Sequence, residues 1–133
     1  MPCSSHVVRS TFPGGRVHWQ LHCYGSCARG ECVETYVTDP EPGDRMTTVK
    51  TCACPDDVDV ESCPPPGIPA GTFVKACRVG LRYGYNEDGT IGEPLGPVCV
   101  GPCPDGGGAC KQVVAGSSQF EGVTTEVVVC RCG

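Results

Sequence analysis

Apolar and polar residues alternate along this chain with a period of two, in short runs broken by clusters of glycine, proline and acidic residues. Val33, Thr35 and Val37 alternate with Glu34 and Tyr36, the pattern of a strand with one buried face. The β-favourable stretches 7–12 and 16–21 flank Pro13, Gly14 and Gly15, and 32–38 and 46–52 flank the turn-forming run 39–44. Two such stretches around a glycine- and proline-rich break predict a hairpin. The second half repeats the layout, with Asn86, Glu87, Asp88 and Gly89 as one turn and 116–122 as another. Its strongest strand is the β-branched run 123–129. No stretch sustains a 3.6-residue period between caps, so an all-β protein with almost no helix is expected.

Cysteine spacing groups these hairpins in pairs. Cys3, Cys23, Cys27, Cys32, Cys52 and Cys54 follow the spacing C-x19-C-x3-C-x4-C-x19-C-x-C. Cys77, Cys99, Cys103, Cys110, Cys130 and Cys132 repeat it with x21 and x6 at the first and third gaps. The chain therefore reads as a small disulfide-rich protein of two tandem six-cysteine modules, 1–54 and 77–133, each built from two β-hairpins. A Pro-rich, acidic connector, 55–76, joins them and carries Cys63. Modules of this size bury only about 60% of the surface their unfolded chains expose, and they depend on cross-links.

Symmetry about the turns predicts the pairs Cys3–Cys23, Cys32–Cys52 and Cys27–Cys54, and likewise Cys77–Cys99, Cys110–Cys130 and Cys103–Cys132. Cys63 is left unpaired or available for an intermolecular bridge. Both modules carry C-x-G-x-C, around Gly25 and Gly101, which predicts positive φ or a close chain approach at the crossover between hairpins. In the connector, proline at 64–66 and 69 predicts a semi-rigid spacer. The acidic run 56–61 reads as solvated linker charge, and Thr72, Phe73 and Val74 as a short strand.

Thirteen cysteines in 133 residues is the density of proteins oxidised outside the cytosol. The expected location is secreted, periplasmic or extracellular. Met1, Pro2 and Cys3 carry neither a charged nor an apolar leader, so a signal peptide is expected to be absent from this sequence. No apolar run approaches the length of a membrane span. The net charge of −5 sits mainly in the connector, and with no basic stripe and one tryptophan, nucleic-acid binding is not expected.

A cytosolic alternative would place zinc on four thiolates, Cys23, Cys27, Cys52 and Cys54, with a like site in the second module. The C-x3-C and C-x-C spacings argue against it, because structural zinc sites favour C-x2-C. His18 and His22 would share one face of a strand, as a metal or proton site requires; they and His6 are read as ordinary half-exposed residues. The runs 56–61 and 86–89 lack the ligand spacing of a calcium loop. With no nucleophile motif, H-E-x-x-H helix or phosphate-cradling glycine loop, no enzyme activity, cofactor or resident metal is expected.

A shared frame with divergent tips predicts protein binding by a secreted scaffold. The candidate tips are Pro13, Gly14 and Gly15; Pro40, Glu41, Pro42 and Gly43; Asn86, Glu87, Asp88 and Gly89; and Ser117, Ser118, Gln119, Phe120 and Glu121. One alternative is an extracellular structural subunit that polymerises through strand edges or Cys63. Another is a secreted protease inhibitor, with Arg16 and Arg45 beside two of the tips.

Overall fold

The computed structural model describes residues 1–40, 47–64, 66 and 70–133. The described chain is all-β. Hairpins are formed by β1 (Ser4–Thr11) with β2 (Val17–Tyr24) and by β3 (Val33–Val37) with β4 (Thr47–Ala53). After a short ribbon of β5 (Val58–Val60) and β6 (Thr72–Val74) come β7 (Arg78–Tyr85) with β8 (Ile91–Val100), then β9 (Cys110–Phe120) with β10 (Val123–Cys132). The helical content among the described residues is a single 3₁₀ turn, Pro55–Asp57.

A lone hairpin is marginal in water, and each here gains stability by pairing with a hairpin from the other half of the chain. The first sheet has the order β2-β1-β10-β9 and the second β3-β4-β7-β8. The seam of the first runs from Val7 opposite Val128 to Thr11 opposite Thr124, and that of the second from Thr47 opposite Gly84 to Thr51 opposite Gly80. Residues 1–54 and 77–133 thus share both sheets, whereas each disulfide stays inside one of these ranges.

Alternation gives the second sheet two buried faces. Val79 and Leu81, with Val7, Val128 and Cys130 from the first sheet, fill the space between the sheets, joined by Trp19, Leu21 and Tyr83. The opposite face presents Val37, Val49, Ala53, Val98 and Val100, which pack beneath Val58 and Val74 of the β5–β6 ribbon. Gly80 lies in this packing, where an added Cβ would come within 2.7 Å of Val49 Cγ1.

The β5–β6 ribbon of the connector therefore forms a third layer on the second sheet. Its acidic run is partly tied down: the Asp57 carboxylate accepts a hydrogen bond from the Cys54 amide at 3.2 Å and pairs with Arg78 at 3.7 Å, and Asp59 pairs with Lys75 at 3.6 Å. Thr72, Phe73 and Val74 form the expected strand. Residues 65 and 67–69, on which the semi-rigid expectation largely rests, lie outside the described residues.

The cysteine pairing departs from the symmetric prediction. The bridges are Cys3–Cys32, Cys23–Cys52 and Cys27–Cys54, then Cys77–Cys110, Cys99–Cys130 and Cys103–Cys132. Only the third pair of each set is as predicted. The register explains the correction: Cys23 faces Ser5, Cys52 faces Glu34, Cys99 faces Val79 and Cys130 faces Gln112. Each predicted partner lies two residues out of reach along its own hairpin. The bridges instead run from hairpin to hairpin, tying one sheet to the other, with Cα separations of 5.4–5.7 Å. Each closes a loop of about thirty residues, worth roughly 3–4 kcal/mol in the chain-entropy account.

Candidate binding surface

Strand direction decides where the four tips go. Ser5 Oγ donates to the Val79 carbonyl at one end of the inter-sheet core, and near the other end Trp19 lies 3.7 Å from the Cβ position of Gly96. Trp19 faces Arg9 in the first sheet and Gly96 faces Arg82 in the second, so β1 and β7 run the same way. All four hairpins therefore turn at one end of the sandwich. The twelve bridged cysteines gather at the opposite end, where the sulphurs of Cys3, Cys27 and Cys54 lie within 4.8 Å of one another, as do those of Cys77, Cys103 and Cys132.

Pro13, Gly14 and Gly15 form the first tip, closed by Phe12 N–H to Arg16 O at 2.8 Å and Gly15 N–H to Phe12 O at 3.0 Å. The Arg16 guanidinium lies over the Phe12 ring at 5.0 Å. Beside it stands the last tip, whose turn is Glu121 and Gly122 alone, at φ of 50° and 81°. Ser117, Ser118, Gln119 and Phe120, expected in that loop, lie in β9, because the β10 ladder continues to Phe120 opposite Val123. The two tips touch: the Cβ position of Gly122 is 3.2 Å from Pro13 Cγ.

Asn86, Glu87, Asp88 and Gly89 form the expected turn of the second sheet. Asn86 N–H donates to Thr90 O at 2.8 Å, and the Asp88 carboxylate accepts from the Thr90 amide at 3.0 Å and hydroxyl at 2.6 Å. The Thr90 hydroxyl first, then its amide, hold the Asp88 carboxyl below its usual range. Pro40 is exposed at the base of the neighbouring tip. Glu41, Pro42 and Gly43, together with Arg45, lie outside the described residues.

That base carries an ion pair sequence reasoning missed. Asp39, its side chain 7% exposed, accepts from Arg82 Nε and Nη2, both at 2.8 Å, and from the Thr47 hydroxyl. An aspartate before a proline and an arginine in a glycine-rich strand, forty-three residues apart, carry no sequence signal of one another. Arg9 and Glu126 pair through Nη2 and Oε1 alone across the seam of the first sheet, with Trp19 5.8 Å from the guanidinium. Next to Arg82 along β7, partial burial pushes the Tyr83 phenol up, opposed by nearby Lys50.

Large apolar side chains are exposed toward the tip end. Phe120 is 75% exposed and Leu95 55%, with Ile91, Val17 and Tyr85 also exposed. A cleft of 590 Å³ opens between Thr47, Tyr85, Gly92 and Leu95, and a crevice of 450 Å³ between the sheets is lined by Arg9, Trp19, Leu95 and Val114. Away from the tips, His6 and His22 are direct cross-strand neighbours. Both rings lie near Tyr24, with centroids at 4.7 Å from His6 and 6.2 Å from His22; His22 also lies 3.3 Å from Gln20 Oε1, and His18 faces Ser10.

The sulphurs of the zinc alternative are bonded in pairs, so they present no thiolate while oxidised. Cys63 is free and exposed. No helix among the described residues is long and apolar enough to cross a membrane. No protein-family model, curated protein or solved structure matches the chain.

Proposed function

We propose that this is a secreted, non-catalytic scaffold of two duplicated six-cysteine modules that binds a protein partner through its hairpin tips. The observation that carries the reading is the convergence of the turns from both halves on one end, opposite the disulfides. A frame held by six bridges presents loops that lose little conformational entropy on docking. Exposed Leu95, Ile91 and Tyr85 supply the apolar contact that such a surface needs. The duplication is supported by the repeated spacing and by first-to-fourth, second-to-fifth and third-to-sixth pairing in both sets.

Photo-cross-linking tests this reading. A cross-linker at Arg16 is expected to capture one extracellular protein that a cross-linker at Arg131, beside the disulfides, does not. The joint substitution Tyr85→Ala and Arg16→Ala is expected to lose that partner while keeping the native circular dichroism. Equal capture from both ends, or capture indifferent to the tip substitutions, refutes the tip surface.

A further inference from the structure

The four edges of the two sheets are not equally protected. Natural sheets blunt their edges with proline, bulges, short strands or covering chain. β8 carries Pro94, Pro97 and two register breaks. β3 has five residues, and the amide just beyond it, Thr38 N–H, is capped by the Thr72 carbonyl at 2.8 Å. β9 has neither proline nor covering chain, and Lys111 is its single charge. Its one irregularity, the bulge opposite Val127 and Val128, leaves 116–120 as an uninterrupted outer stretch.

That stretch is complementary to itself. With Glu121 and Gly122 as a two-residue loop, Phe120 and Val123 close the hairpin. The alternation of an antiparallel ladder then turns the N–H and C=O of Ser117 and Gln119 away from β10. Two copies of β9 laid antiparallel about Ser118 would pair Ser117 with Gln119 of the other copy, twice, satisfying these groups. The same register sets Phe120, 75% exposed, beside Gly116 of the other copy, where no atom lies within 4 Å of an added Cβ. An aromatic ring covering a facing glycine stabilises a strand pair. β2, the remaining edge, contains no glycine to receive such a ring.

We propose that the chain forms a two-fold dimer through residues 116–120 of β9, joining two first sheets into one eight-stranded sheet. The strands meet antiparallel, so the two tip ends point in opposite directions and one dimer can hold two partners apart. This association goes beyond the tip-binding reading and fails or stands separately from it, because its readout needs no partner.

The test is sedimentation velocity of the Cys63→Ser variant over a range of concentrations, which removes disulfide dimers through that thiol. The expected result is a reversible rise in mass from 13.9 kDa toward twice that value. Phe120→Ala should weaken the association about tenfold, through two lost aromatic contacts. Ser117→Pro, at a position whose amide is not used by β10, should abolish it. Ser118→Cys in the Cys63→Ser background should give a disulfide linking position 118 to position 118 of a second copy, because residues on the two-fold axis meet at close Cα separation. A monomer at every concentration, or an association without the 118–118 link, overturns the proposal. Should Ser117→Pro misfold, Ser118→Lys, which sets two like charges on the axis, takes its place. Persistence of the dimer in a folded variant of either kind also overturns it.

Discussion

The two ends of this sandwich are built on different physics. At one end six disulfides tie sheet to sheet, and chains approach closely enough to demand glycine. A Cβ on Gly25, at φ +97°, would fall 2.1 Å from the Pro2 carbonyl oxygen, and one on Gly101, at φ +91°, equally close to that of Ala76. At the other end the turns 12–16 and 86–90 are each held by two backbone hydrogen bonds, over Gly14, Gly15 and Gly89, whose Cβ positions meet nothing. At the first end a substituted glycine meets both an unfavourable φ and neighbouring backbone, whereas at Gly14, Gly15 or Gly89 it meets the unfavourable φ alone. A binding surface is best placed where change is tolerated, which is why the tips and not the crossovers are proposed for that role.

The largest test of this contrast removes a bridge. Replacing Cys23 and Cys52 together by serine should destabilise the fold by roughly 3–4 kcal/mol from loop entropy. Position 52 is fully buried, so the new hydroxyl there adds to the loss. Denaturant titration reads the effect, and a loss of that size from any substitution within 13–15 would break the contrast. Non-reducing peptide mapping should link Cys3 to Cys32 and not to Cys23, and alkylation of the unreduced, denatured protein should label Cys63 alone.

A smaller effect is expected from Asp39→Ala, which leaves Arg82 without its bidentate carboxylate and should cost about 3 kcal/mol. It sharpens the comparison, because Asp39 is the buried anchor of a tip, and hydrogen exchange should open β3 and β7 before the disulfide end. Ser5→Ala should cost about 1 kcal/mol. The Val79 carbonyl keeps its second donor, the Thr51 hydroxyl at 2.7 Å.

The smallest effect is a pH dependence at the 86–89 turn. The Asp88 carboxyl titrates below 3.8 in the folded chain because Thr90 donates to it. The stabilisation is therefore present above the unfolded value, 3.8, and is lost as pH falls through the lower folded value. Thr90→Val should return the Asp88 titration, followed by NMR, toward 3.8. Global stability should hardly move, since the group is fully exposed.

Local pattern carried much of this architecture. The hairpins around Pro13 and around Asn86, the strand at 72–74 and the positive φ of Gly25 and Gly101 follow from alternation, turn chemistry and repeated glycine. Where the expectations failed, the missing information was register or long-range partnership. Counting from Pro13 put Cys3 opposite Cys23, but the ladder pairs Ser5 with Cys23, and a two-residue slip is invisible to spacing. The run 116–120 looked like loop because glycine and serine are weak strand formers; pairing with β10 overrides that preference. The Asp39–Arg82 pair arises only once the second and third hairpins share a sheet.

By itself the sequence determined that the chain is all-β and bound by disulfides, since alternation, turn residues and cysteine density are local properties with local consequences. It also marked the places where the chain turns. Tertiary structure alone decided that hairpins from different halves pair, that the bridges join sheets and not strands of one hairpin, and that the tips meet at one end. These depend on how two-stranded units, each too small to hide its apolar face, find partners in space. The pattern of a strand says which face must be buried; it does not say against what.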